Sequence, residues 1–407
     1  MLGLTRYQWL VLFAAWLGWG FDVFDGLLFN YVAPICIPNL LGLNQADKAT
    51  QGEVFLWTAS LTSLLLVGWA LGGILFGKIT DRLGRTRTLL LTMLTYALAT
   101  AACAFAPNIW VLALFRFVAA LGIGGEWAAG ASLVAETMPK EKRVLGGALL
   151  YTSAPMGLFL ATFVTDSFTR KLDAIASDPN LSWRAVFLTG IVPAAIAFVI
   201  RLKVREPEGW KPEAEPRVAE LFTPELKRFT VSGLSMAIVA LVTWWSCSAF
   251  IPVVATSLVK ELVPALTGPA AAMKKAEFVT IGTTAFNLGG LVGTLLTVPI
   301  ATHLGRRTMY VGYFSASAAA LLVTFLPAWA PVTRLCLFFT IGLTVFGVFG
   351  SFTFYLPELF PSRLRGTGAG FTYNVGRIAT AAFPFGVGYV VRSGTDPLTV
   401  MSTVAIA

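Results

Sequence analysis

Five ionisable side chains stand in stretches that are otherwise apolar. Asp22 and Asp25 interrupt GWGFDVFDGLLF, Arg116 and Glu126 fall in RFVAALGIGGEWAAG, and Arg377 lies in YNVGRIA. On a helix, Asp22 and Asp25 are about 4.5 Å apart along the axis and on neighbouring faces. An Asp in hydrocarbon costs at least about 2.5 kcal/mol. Low dielectric disfavours the charged form of a carboxyl group, and a like charge nearby disfavours it further. A carboxyl group so placed can load a proton on one side of a barrier and release it on the other. Asp22, Asp25 and Glu126 are therefore the proton-coupling candidates. The competing reading is that an acid caps or pairs with a neighbouring helix, or that Glu126, beside Gly122, Gly124 and Gly125, anchors helix packing.

Arg377 cannot shed its charge and must find an anion or a carbonyl. A small carboxylate would satisfy its fork bidentately. A structural pair with Asp22 or Asp25 is the alternative, and the two combine if a substrate replaces the acid once that acid is protonated. Asn374, three residues earlier, adds a hydrogen bond on a neighbouring face. Arg116 and Glu126 lie about 15 Å apart along one helix and do not pair with each other. Arg116 either snorkels toward the near end of its run or joins the substrate-binding set. Trp57, Trp127, Tyr151, Trp244, Trp245 and Tyr355 are candidates for cavity walls, although aromatics at such positions more often serve packing or interface belts.

These residues need a lipid-embedded scaffold. Of 407 residues, 56% are hydrophobic, a further 38 are Gly, and only 13% are charged. A soluble domain carries about 25% charged residues, so ordinary cytosolic enzymes, disordered chains and disulfide-stapled domains are excluded. Cys36, Cys103, Cys247 and Cys336 lack metal-ligand spacing and read as small packing residues. His303 is the sole histidine, which argues against a metal centre or a histidine-based triad. No phosphate-binding loop is present, so no ATP-driven step and no cofactor is expected.

A span needs about 20 mostly apolar residues. Such runs cover 8–33, 54–77, 88–107, 109–135, 144–166, 184–203, 229–257, 277–300, 308–327, 332–356 and 367–391, and an incomplete twelfth begins near Leu398. With the N-terminus cytoplasmic, nineteen Lys and Arg fall on the inner side and nine on the outer, with Arg116 and Arg377 inside spans. That bias places the N-terminus inside and explains the net charge of +9 by topology rather than by nucleic-acid binding. The expected domains are a six-span bundle over 1–203, a cytoplasmic linker over 204–228, and a second bundle over 229–407 with five full spans and a truncated sixth.

The halves repeat. Gly68, Gly72, Gly84 and Arg85 return 221 positions later as Gly289, Gly293, Gly305 and Arg306, and Glu136, Pro139 and Arg143 return 222 later as Glu358, Pro361 and Arg365. A parallel repeat about an axis along the membrane normal is a transporter architecture. At the inner mouth, carboxylates Asp81, Glu136 and Glu358 face guanidiniums Arg82, Arg85, Arg143, Arg306 and Arg365. Together with Gly77 they form a candidate cytoplasmic gate, in which Arg forks bridge acids on different helices and latch the halves. The alternative is that the arginines only set topology.

The loop GKITDRLGRTR resembles the signature between spans two and three of the major facilitator superfamily, matching at Gly77, Asp81, Arg82, Gly84 and Arg85 and departing at Thr86. The first-span acids, the fourth-span R-F-x-x-x-x-G-x-G-G-E and the eleventh-span YNVGRIA are similar to the sialate and monocarboxylate proton symporters, and more loosely to the aromatic-acid symporters. Ala120 replaces one glycine of the fourth-span pattern. The seventh span's TWWSCSAF departs from the sugar-porter pattern. The resemblance implies two six-span helical bundles and proton-coupled symport of a small organic anion by alternating access. It further implies a multi-pass plasma-membrane protein that acts as a monomer. The alternatives are a sugar or polyol facilitator and a non-transporting membrane receptor; an intramembrane protease would not explain the repeat.

Overall fold

In a computed structural model the chain is helical throughout its described residues, which are 4–43, 48–83, 85–139, 142–192, 195–196, 199, 217–361, 364–393 and 399. The first half runs α1 (Arg6–Leu41), α2 (Lys48–Leu83), α3 (Arg85–Cys103), α4 (Ile109–Thr137), α5 (Arg143–Tyr151), α6 (Ser153–Asp166), α7 (Asp173–Ala176) and α8 (Pro179–Thr189). The second runs α9 (Lys227–Leu262), α10 (Gly268–His303), α11 (Gly305–Phe325), α12 (Pro331–Glu358) and α13 (Arg365–Arg392). Ten of the eleven expected spans fall on these helices in order, with α5 and α6 sharing one, while the sixth, 184–203, begins on α8 and runs beyond the described residues. Eight candidate spans among the described residues are long and apolar enough to cross a bilayer. Of the other three, α3 has a shorter apolar stretch, Arg87–Cys103. The continuation of α8 lies partly outside the described residues, and α13 is diluted by glycines and Arg377. The expected twelfth run also lies outside them, apart from residue 399.

Glycine sets the helix crossings. A Cβ on Gly72 would sit 2.0 Å from the Leu121 carbonyl oxygen of α4, and one on Gly293 would sit 1.9 Å from the Leu343 carbonyl oxygen of α12. Leu343 follows Leu121 by the same interval that relates the two E-x-x-P-x-x-x-R motifs. The repeated glycines thus make the same backbone-on-backbone crossing in each half, which a side chain would prevent. Between α10 and α11 the chain turns at Gly305 (φ 83°), a left-handed conformation that glycine adopts without strain.

The halves meet closely at the end of the bundle remote from Arg6. Arg392 of α13 pairs with Glu53 of α2 at 2.9 Å. Nearby, Asn287 of α10 donates from its amide nitrogen to Tyr31 of α1 (3.4 Å) and Thr162 of α6 (3.3 Å), and the hydroxyls of Thr162 and Thr283 are 3.2 Å apart. Asp166 holds Arg170 and Lys171, each at 2.7 Å, and accepts from Thr280 of α10 at 3.0 Å. Of the expected linker, residues 217–228 are described: Leu221 packs with Phe360 and Leu364, and its carbonyl accepts from Thr230 at 2.7 Å.

Candidate functional site

Arg377 lies in the middle of α13 and is 3% exposed. Its guanidinium lies against two rings, with that of Trp69 of α2 at 4.3 Å and that of Tyr373 of its own helix at 4.4 Å. Tyr373 lies one turn back, at the i, i+4 spacing that puts two side chains on one helical face. Nη1 donates to Asn374 at 3.1 Å, and Asn374 in turn lies against Gly73 of α2. The arginine therefore bridges the halves. Asp22 of α1 and Tyr151 of α5 lie within its electrostatic reach. Two rings and a side-chain amide hold the fork in place, and a held fork suits a carboxylate.

Aromatic rings close a circuit with this cation. Trp69 packs edge-on against Trp245 (5.7 Å), and Trp245 against Trp244 (4.8 Å). Trp244 meets Phe349 of α12 at 5.9 Å, and Phe349 meets Tyr373 at 6.5 Å. Tyr151 stacks on Phe349 at 6.2 Å and meets Trp19 edge-on at 5.2 Å. Trp19 is three residues before Asp22 on α1. Arg377, Asn374, Asp22, Tyr151 and Trp245 are thus brought into one neighbourhood.

A second polar cluster lies inside the first half. Arg116 is 1% exposed and does not snorkel; it reaches from α4 to α1, where Nη1 donates to the Asp25 carbonyl oxygen at 2.8 Å and Nη2 to that of Gly26. The Asp25 carboxylate is fully buried beside Gly190 and Thr100, and among the described residues neither of its oxygens has a hydrogen-bond partner. Asp22 and Asp25 therefore serve different surroundings. Glu126 is buried in α4, next to Gly125, where a Cβ would clash with Phe76 and Thr92.

Other sequence candidates are placed elsewhere. Trp57 packs edge-on against Trp110, which is 71% exposed, so that pair belongs to the lipid-facing surface. Tyr355 sits 4.8 Å from Tyr310, near the Arg306–Glu358 ion pair (3.2 Å). That pair joins α11 to α12 within the second half, so among the described residues this member of the candidate gate does not bridge the halves. The side chains of Trp127, Asp81, Arg82, Arg85, Glu136, Arg143 and Arg365, and the surroundings of Gly77, lie outside the described residues.

Sequence reasoning missed Trp69, Trp19 and Phe349. Trp19 shares a helical face with Asp22 by its spacing, as Tyr373 does with Arg377, and that signal was available. Trp69 carried no such mark: its role depends on α2 crossing α13.

The sequence profile described as Major Facilitator Superfamily matches residues 9–384, so the chain belongs to that superfamily. A probable 4-methylmuconolactone transporter of Cupriavidus pinatubonensis is 28% identical over 92% of this chain and 82% of its own length. A sialic acid transporter of Escherichia coli is 26% identical over 93% of this chain and 86% of its own length. Among solved structures, a D-xylose–proton symporter superposes with a TM-score of 0.72 at 15% identity, covering 98% of this chain and 97% of the other, and so shares the fold. The chain is accordingly a multi-pass membrane transporter built as a two-bundle helical protein, and not an enzyme.

Proposed function

We propose that this member of the superfamily takes up a small organic carboxylate together with a proton by alternating access. It would do so across the plasma membrane, with its N-terminus cytoplasmic and a single chain as the working unit. The observation that carries the reading is Arg377: a buried cation held by aromatic rings at the junction of the halves, with Asp22 in electrostatic reach. The relatives named for 4-methylmuconolactone and sialic acid transport support a carboxylic acid as the substrate class.

The chemistry is one of exchange. With Asp22 ionised, Arg377 is compensated by it. A proton on Asp22 removes that compensation and frees the fork for a substrate carboxylate. With proton and anion both loaded the buried charge is balanced again, and the halves can rock. With only one of them loaded an uncompensated charge stays buried, and that difference couples the two fluxes. One proton with one monoanion moves no net charge, and each further proton would add about 2.3 kcal/mol per 100 mV. The proton gradient is the driving force, and no cofactor takes part.

The test is uptake into proteoliposomes of the purified chain under an imposed pH gradient, with a panel of labelled organic acids. Acid outside drives accumulation, and unlabelled carboxylates compete. Arg377→Lys, which keeps the charge but loses the fork, raises KM for carboxylates at least tenfold. Competition by hexoses rather than carboxylates, or an unchanged KM in Arg377→Lys, overturns the reading.

A further inference from the structure

The indole N–H groups of Trp69 and Trp244 are buried and, among the described residues, have no hydrogen-bond partner. Each residue is 5% exposed, and each packs edge-on against the same ring, Trp245. A buried indole normally finds an acceptor, because an unmatched donor in a dry interior carries the full desolvation penalty. Two such donors flanking one ring, in the circuit that Arg377 closes, call for a shared explanation.

We infer that Trp69 and Trp244 are specificity-determining residues: the circuit takes a flat, conjugated carboxylate, and their N–H groups read a second hydrogen-bond acceptor carried on that substrate away from its carboxylate. This rests on Arg377 being the carboxylate site. Three features point the same way. The circuit of Trp69, Trp245, Trp244, Phe349 and Tyr373 offers ring faces and edges, which suit a planar π-system. Indole nitrogen is a donor only, so the group it reads must accept. Trp69 comes from the first half and Trp244 from the second, so the acceptor end of a bound acid would touch both halves. A polyhydroxylated acid would bring several donors and acceptors into a wall that offers few partners, at a desolvation cost for each.

The experiment is direct binding to the purified full chain, measured by calorimetry and by tryptophan fluorescence. The four probes are benzoate, 4-formylbenzoate, cyclohexanecarboxylate and gluconate. The intact protein binds 4-formylbenzoate at least tenfold more tightly than benzoate, benzoate more tightly than cyclohexanecarboxylate, and gluconate weakest. Trp244→Phe and Trp69→Phe keep a ring but remove the N–H, and each collapses the preference for 4-formylbenzoate over benzoate toward one. Monodisperse elution of each variant shows that the fold is retained. If the preference survives both substitutions, or if all four acids bind alike, the inference is overturned while the Arg377 reading stands. If no carboxylate binds, or if Arg377→Lys leaves every affinity unchanged, both readings fall.

Discussion

Arg116 reaches from α4 to the backbone of α1, donating to the Asp25 carbonyl oxygen at 2.8 Å, while the Asp25 carboxylate stays buried without a hydrogen-bond partner among the described residues. The arginine thus serves two carbonyls and lends the acid a nearby positive charge rather than a hydrogen bond. Arg116→Ala removes the second hydrogen bond of the Asp25 and Gly26 carbonyls, which lie inside helix α1, and leaves the acid without that charge. Removing one member of a buried charged set costs about 3–5 kcal/mol. The thermal unfolding midpoint in detergent should fall sharply. Arg116→Lys should fall less, because one carbonyl keeps its second donor. Adding Asp25→Asn to Arg116→Ala should recover part of the loss, as interacting sites do in a double-mutant cycle. Strict additivity would show that the two groups do not interact.

The separate surroundings of Asp22 and Asp25 give a second prediction. Asp22 lies in electrostatic reach of Arg377, so Asp22→Asn mimics its protonated form and leaves the Arg377 fork permanently free. This variant should bind carboxylate and exchange it across the membrane, yet fail to concentrate it when the outer pH is lowered. Counterflow and pH-driven uptake in the same proteoliposomes measure both. Accumulation that still rises with outside acidity would move proton coupling away from Asp22.

A third concerns the junction remote from Arg6. Asn287 is the only described residue there that donates to both Tyr31 of α1 and Thr162 of α6. Both bonds are long, at 3.4 and 3.3 Å, so each is worth at most about 1 kcal/mol net. Asn287→Ala should leave the fold intact and loosen this end. A cysteine introduced by Thr283→Cys should then react faster with an impermeant maleimide added from that side. An unchanged rate would assign the closure of this end to packing and to the Glu53–Arg392 pair.

How much of this was legible beforehand follows from the range of each signal. Hydrophobic run length is local, and ten of the eleven expected spans fell on described helices. The repeat was also local to its motifs, and the structure gives it a cause in the paired crossings at Gly72 and Gly293. Burial of Arg377 could be read from its place in an apolar run, and its contact with Asn374 from a three-residue spacing. The aromatic circuit was not legible, because Trp69 and Trp245 lie on helices of different halves and no spacing relates them. Nor was the division of labour between Asp22 and Asp25: a three-residue spacing leaves them on neighbouring faces about 60° apart, and only the position of α4 shows that Arg116 waits beside the second.

The glycines supply the last prediction, with its own control. Gly72→Ala would place a Cβ 2.0 Å from the Leu121 carbonyl oxygen, and Gly293→Ala would place one 1.9 Å from that of Leu343. Backbone cannot rotate aside as a side chain can, so the helix pairs must move apart and lose the packing that holds spans together where lipid offers no hydrophobic drive. Overpacking of this kind costs about 1–3 kcal/mol or more. Both variants should show lowered unfolding midpoints and reduced yields of monodisperse protein. Gly312 of α11 has nothing among the described residues within 4 Å of its would-be Cβ. Alanine there should be neutral or stabilising by up to about 1 kcal/mol, since glycine is the poorer helix former. Equal effects at all three positions would mean that helix propensity, and not the close crossings at Leu121 and Leu343, governs these glycines.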